Sequence, residues 1–71
     1  MWIKGEINGH RFMAKCYDEP SQEFGWREGR ISKLEVRKNR EIVFSYDRGI
    51  DVDTKDPEVL DVLDQIFTIY G

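Results

Sequence analysis

Val59, Val62, Leu63, Ile66, Phe67 and Tyr70 recur at i, i+3, i+4, i+7, i+8 and i+11. At ~3.6 residues per turn this spacing winds them into one apolar stripe, with Glu58, Asp61, Asp64, Gln65 and Thr68 on the other side. The pattern predicts an amphipathic helix from Asp56-Pro57-Glu58 to Tyr70. Asp56 is a good N-cap, Pro57 a good first helical residue, and the early acids favour the positive end of the helix macrodipole. A helix divided in this way needs an apolar surface to lie on, and the remainder of the chain reads as the strands that supply it.

Ile3, Gly5 and Ile7 alternate with Trp2, Lys4 and Glu6, and Asn8-Gly9 then offers the two positive-φ positions of a type I′ hairpin turn. A two-residue loop sets Ile7 opposite His10, Glu6 opposite Arg11, Gly5 opposite Phe12, Lys4 opposite Met13, Ile3 opposite Ala14 and Trp2 opposite Lys15. One face then gathers Ile3, Gly5, Phe12, Ala14 and Cys16, and Phe12 can cover the bare backbone of Gly5. The other face gathers Trp2, Lys4, Glu6, Arg11, Met13 and Lys15.

Asp18 to Glu28 shows no periodicity and reads as the longest loop. Its length points to a functional segment or to an Ω-like cap on the core. Phe24 and Trp26 within it either plug the open end of the sheet or contact a partner. Gly29 to Val36 and Ile42 to Tyr46 form a second hairpin, joined through Lys38-Asn39-Arg40. Pairing through that three-residue loop puts Arg37 opposite Glu41, Val36 opposite Ile42 and Leu34 opposite Phe44. Such a loop favours Gly at its third position, which Arg40 occupies. Asp47-Arg48-Gly49-Ile50-Asp51 is a turn, followed by an acidic connection to the helix.

These elements make an α+β fold: a four-stranded antiparallel sheet of two β-hairpins with one C-terminal α-helix packed on one face. A simple meander is the favoured topology; the long loop also permits the second hairpin to pair beside strand one. The expected core is Ile3, Phe12, Leu34, Ile42, Phe44, Leu63, Ile66 and Phe67. Residues 1–71 make one domain. A chain of this size hides only ~60% of the surface its unfolded form exposes, so it is expected to be marginally stable, as a monomer or as a homodimer.

The net charge of −3 is unevenly distributed, for Asp51, Asp53, Asp56, Glu58, Asp61 and Asp64 face only Lys55 in the C-terminal segment. Residues 1 to 50 carry ten Lys or Arg against eight Asp or Glu. The helix portion is thus strongly acidic and the sheet portion mildly basic, which bears on partners and solubility. The single Cys16 rules out an internal disulfide framework and zinc-type cysteine spacing is absent, so the expected compartment is a reducing cytoplasm. The opening Met1-Trp2-Ile3-Lys4-Gly5-Glu6 lacks the features of a secretion signal, and no apolar run approaches the ~20 residues that cross a bilayer, so membrane insertion is not expected.

Catalysis has little to work with. The only histidine, His10, and the only cysteine, Cys16, lie six residues apart on one strand, ~20 Å, beyond the reach of a dyad. Asp47, Asp51, Asp53 and Asp56 invite a calcium reading. An EF-hand loop opening at Asp51 would need Gly where Asp56 stands and Glu where Val62 stands, so a solvated connector explains them better. No phosphate loop, dinucleotide fingerprint, nucleophile elbow or metal-binding histidine pair is present, and neither a cofactor nor a metal is expected.

Two surfaces remain as candidates. Trp2, Lys4, Arg11, Lys15, Lys33 and Arg37 share the outer sheet face with Met13, Tyr17, Glu6, Glu35 and Asp47, a physical type on which single-stranded bases stack and phosphates are neutralised. The same residues also suit an ordinary solvated face laced with cross-strand pairs, which the acidic overall charge favours. Glu58, Asp61 and Asp64 line the outer side of the helix, where carboxylates can occupy a basic groove, as small inhibitors of nucleic-acid enzymes do, or simply meet solvent. The first expectation is a small non-enzymatic protein-binding or regulatory module using Phe24, Trp26 and the helix acids. The alternatives are nucleic-acid binding on the sheet face, and acidic inhibition of a nucleic-acid-processing or defence enzyme.

Tyr17-Asp18-Glu19-Pro20-Ser21, Gly29-Arg30-Ile31-Ser32-Lys33-Leu34, Arg37-Lys38 and Tyr46-Asp47-Arg48-Gly49, with the opening Gly5-Glu6-Ile7-Asn8-Gly9, resemble a family of small uncharacterised proteins of about this length. That family is found in Gram-positive bacteria and in their phages and mobile elements. The resemblance spans nearly the whole chain and implies a bacterial or phage cytoplasmic protein without catalytic residues. One departure stands out. Where the family tends to have Asp-Gly in the second hairpin turn, this chain has Asn39-Arg40.

Overall fold

The computed structural model describes residues 1–71. Five strands run in chain order: β1 (Trp2–Ile7), β2 (His10–Cys16), β3 (Ile31–Lys38), β4 (Glu41–Asp47) and β5 (Ile50–Val52), followed by one helix, α1 (Pro57–Tyr70). Every neighbouring pair is antiparallel and the spatial order equals the sequence order, so the sheet is a simple meander.

The first hairpin takes the expected register at every position, from Trp2 opposite Lys15 to Ile7 opposite His10. Asn8 and Gly9 hold φ of 50° and 76°, the left-handed pair a type I′ turn needs. Phe12 lies over Gly5. A Cβ added at Gly5 would stand 2.7 Å from the tip of that ring, so the aromatic fills the place of the missing side chain.

The sheet has five strands where four were expected. Asp47 N–H donates to the Gly49 carbonyl at 2.9 Å, Arg48 adopts φ 58°, and the reversed chain pairs Ile50 with Tyr46 and Val52 with Ser45. Ile50-Asp51-Val52 alternates, but three residues between acidic turns are too short for the pattern to register. Pairing with β4 makes it a strand.

The second turn also differs. Its loop has two residues, Asn39 and Arg40, at φ 52° and 71°, with Lys38 opposite Glu41 and Arg37 opposite Ile42. Uninterrupted, that register would turn Phe44 outward opposite Glu35. Val43 prevents this by standing as an extra residue, so that Val36 meets Phe44 and Leu34 meets Tyr46. A bulge restores the inward face after a one-residue slip. Ile42, expected in the core, lies before the bulge and is 41% exposed. Ser32 is a similar extra residue in β3: Lys15 pairs with Lys33 and Cys16 with Ile31, which buries Ile31 and Ser32 together. The Ser32 hydroxyl donates to the Lys15 carbonyl at 3.1 Å, so its burial leaves no unmet donor.

Helix α1 lays Val59, Val62, Leu63 and Ile66 on the sheet's inner face, where Phe12, Ala14, Cys16, Leu34, Val36 and Phe44 are buried. Ile3 and Phe67 pack against this core while staying partly exposed. The Asp56 carboxylate accepts from the Glu58 N–H at 2.9 Å, and Pro57 follows as the first helical residue. At the other end Arg30 donates to the Tyr70 carbonyl at 3.3 Å, placing a cation at the negative end of the helix.

The segment from Tyr17 to Arg30 closes on itself as an Ω-type loop. Tyr17 N–H donates to the Arg30 carbonyl at 2.7 Å and Ser21 N–H to the Gly29 carbonyl at 3.0 Å. Gly25 sits where a Cβ would collide with the Gly29 carbonyl, so the crossing requires glycine. The single helical turn Trp26–Glu28 follows, with Arg27 and Glu28 at positive φ.

Candidate interaction surfaces

The outer sheet face forms because strand side chains alternate and the inner set is buried under α1. Pairing aligns the outward residues in three rows: Trp2, Lys15, Lys33 and Asp47; Lys4, Met13, Glu35, Ser45 and Val52; Glu6, Arg11, Arg37 and Ile42. The expected set Trp2, Lys4, Arg11, Lys15, Lys33 and Arg37 therefore does share one surface. Two like-charged pairs stand directly opposite across β2 and β3, Arg11 with Arg37 and Lys15 with Lys33. Such pairs are unfavourable unless anions flank them.

Carboxylates flank both rows. Glu6 lies 3.7 Å from Arg11, Glu35 2.8 Å from Arg37 and Asp47 3.8 Å from Lys33. Arg37 donates to the Glu35 carboxylate, and that hydrogen bond, then the charge of Glu35, raise the Arg37 pKa above its ordinary value. Lys15 lies over the Trp2 ring at 5.9 Å from its centroid. Lys4 pairs with no acid in its own chain. Between the rows is a shallow depression of about 350 Å³, lined by Met13 and by Lys4, Glu6, Arg11, Glu35 and Arg37. It mixes both signs of charge around an apolar side chain.

The opposite side of the molecule carries α1 and the Ω loop. Glu58, Asp61 and Asp64 are exposed along the helix, but each is engaged locally. Lys38 donates to Glu58 at 3.3 Å, Gln65 to Asp61 at 2.9 Å, and Arg27 pairs with Asp64 at 2.8 Å. The two loop aromatics part company. Trp26 is only 4% exposed, with ring centroids 6.0 Å from Phe44 and 5.8 Å from Phe67, so it belongs to the core and offers no surface to a partner. Phe24 is 43% exposed, with the Arg48 guanidinium 5.6 Å from its ring and its carbonyl accepting from the Tyr46 hydroxyl at 3.3 Å.

Arg27 joins the loop to the helix. Its guanidinium lies 4.5 Å from the Trp26 ring centroid and 5.5 Å from that of Phe67 while pairing with Asp64. Nothing in the sequence around Arg27 marks it, because its partners lie on other elements. Its positive φ of 53° would be a signal only if the loop conformation were already known.

No group of three or more His, Cys, Asp or Glu side chains is placed to hold a metal ion. Asp53 instead accepts from the Thr54 N–H at 2.8 Å, and the Thr54 hydroxyl accepts from the Asp56 N–H at 3.1 Å, so this acidic connector builds the helix cap. Cys16 and His10 are both buried on the inner face. His10 donates from Nδ1 to the Asn8 carbonyl at 2.8 Å, which ties the ring to the turn.

Set against known proteins, the family model "Domain of unknown function (DUF7678)" matches residues 1–71, the full extent of sheet, loop and helix. The chain belongs to the DUF7678 family. No curated protein and no solved structure matches it. Both surfaces of this DUF7678 domain fall within the matched residues, and no helix in it is long and apolar enough to cross a membrane.

Proposed function

We propose that this DUF7678 domain is a small, non-enzymatic protein-binding module of Gram-positive bacteria, their phages or mobile elements, acting in the cytoplasm. Its working surface is the exposed helix face that carries Glu58, Asp61 and Asp64, together with the exposed Phe24 of the Ω loop. The supporting observation is the Arg27 clamp: by pairing with Asp64 and stacking on Trp26 and Phe67, it fixes the loop that carries Phe24 against the acidic helix. An exposed aromatic on a loop tied to an acidic helix fits a partner that offers an apolar pocket and, apart from it, a basic surface. That description includes the basic groove of a nucleic-acid-processing or defence enzyme. Capture from a host lysate on the immobilised domain should return a specific protein, and Phe24→Ala together with Asp61→Lys should abolish it. Recovery of nothing above background would reject this reading.

A second reading rests on the outer sheet face. The opposed cations Arg11 with Arg37 and Lys15 with Lys33, beside the exposed Trp2, favour single-stranded nucleic acid as a ligand. Binding there must displace Glu6, Glu35 and Asp47 from their cations, so it should be weak and steeply salt-dependent. A flat fluorescence-anisotropy titration with single-stranded and duplex oligonucleotides at low salt would eliminate it.

A further inference from the structure

The meander leaves two edges, and they differ. β5 has three residues, with Asp51 inside it and Asp53 directly after it, the short, acid-guarded form that discourages pairing. β1 has six residues and no element beside it. The Cys16 N–H donates to the Met1 carbonyl at 2.9 Å, so Met1 directs its backbone groups toward β2. Because strand backbone groups alternate in direction, Ile3, Gly5 and Ile7 do the same, and Trp2, Lys4 and Glu6 aim theirs outward. The free edge therefore presents the amides and carbonyls of Trp2, Lys4 and Glu6.

We propose that β1 pairs antiparallel with β1 of a second copy of this chain, about a two-fold axis at Gly5, with Lys4 of each copy opposite Glu6 of the other. Parity permits two-fold registers centred only on a residue, since any other would set an outward-directed backbone group against an inward-directed one. Centring on Lys4 opposes ammonium to ammonium, and centring on Glu6 opposes carboxylate to carboxylate. The Gly5 register alone matches opposite charges.

It does more than that. Lys4 and Glu6 become the pair that exchanges both backbone hydrogen bonds, while glycine faces glycine at the closer, unbonded position where Cα atoms approach to ~4.5 Å. On the inner face Ile3 meets Ile7 of the second copy, covering two side chains that the single chain leaves partly exposed against its core. Lys4, unpaired within its own chain, gains a carboxylate. A charged edge ordinarily repels other strands; this one is complementary in charge to its own reverse, so it admits itself and disfavours strands of other sequence. The two sheets become one of ten strands, with a symmetric, isologous interface. Six residues a side is well short of the ~20–30 of a standard interface, so the dimer should form in a concentration-dependent way.

Sedimentation velocity of the full chain from micromolar to several hundred micromolar should show its mass rising toward twice 8.4 kDa. Lys4→Glu and Glu6→Lys, alone, should each weaken association about tenfold or more, because like charges then face each other on both sides of the axis. Mixed in equal amounts, the two variants should associate again, as should the doubly swapped chain with itself. Both side chains are exposed, so circular dichroism of each variant should match the parent, and Lys4→Glu disturbs no ion pair of the single chain. A parent that stays monomeric over the whole range overturns the proposal. So does a pair of variants that dimerise as well as the parent, or a mixture that fails to recover.

Discussion

Arg40 holds φ 71° at the second position of a two-residue turn, a conformation in which a Cβ crowds the following backbone. Asn39, before it, tolerates its φ of 52° because short polar side chains visit the left-handed region readily. Arg40→Gly should therefore raise stability by about 0.5–1 kcal/mol, read as a higher urea midpoint with an unchanged slope. A lower midpoint would contradict the strain assigned to this turn. The loop aromatics show the same dependence on setting. Trp26→Ala empties a site between Phe44 and Phe67 and should cost ~3–5 kcal/mol, whereas Phe24→Ala, at an exposed position, should stay within about 0.5 kcal/mol of the parent. Equal losses from the two substitutions would mean that the loop does not cap the core in this way.

Among elements, α1 matters most to stability, because its buried stripe covers the apolar face of the sheet. Leu63 is 2% exposed at the centre of that contact, and Leu63→Ala should cost ~2–5 kcal/mol in chemical denaturation. That is a large share of the ~5–15 kcal/mol available to a typical domain. The Ω loop is the second essential element. Its backbone closes at Tyr17–Arg30 and Ser21–Gly29, and Trp26 inserts between sheet and helix, so it packs as part of the core despite its lack of periodicity.

At the scale of the whole molecule, twelve buried apolar residues form one continuous cluster drawn from β2, the loop, β3, β4 and α1. With one core, unfolding in a single cooperative transition is expected. Trp26 reports on the centre of that core, while Trp2, 55% exposed, reports on the sheet surface. In a Trp2→Phe variant the remaining fluorescence should be blue-shifted, protected from acrylamide, and lost in the same denaturant transition as far-ultraviolet circular dichroism. Separate transitions would show that loop and sheet unfold independently. Charge divides the same body, with a mixed sheet face on one side and the helix acids with Phe24 on the other. These are the two surfaces on which the functional readings rest.

The helix, its cap, the first hairpin and the covering of Gly5 by Phe12 were legible in the amino-acid sequence because each depends on contacts within a short span. Periodicity sets a helix face, Asn-Gly selects a turn, and a two-residue loop dictates the register behind it. Lys4, Arg11 and Lys15 on the outer face were legible for the same reason, once that register was known, whereas Lys33 and Arg37 join them through the pairing of β2 with β3. Tertiary structure decided the rest. The bulge at Val43 exists because Phe44 must reach the core, β5 exists because β4 offered an edge, and Trp26 is buried because sheet and helix leave a gap its ring fills. Ile42 is exposed and Asp64 is paired with Arg27 for like reasons. Trp26, Phe44 and Asp64 were settled by partners far away in the chain, and β5 by a neighbouring edge that its own three residues do not reveal, so local pattern holds no record of either.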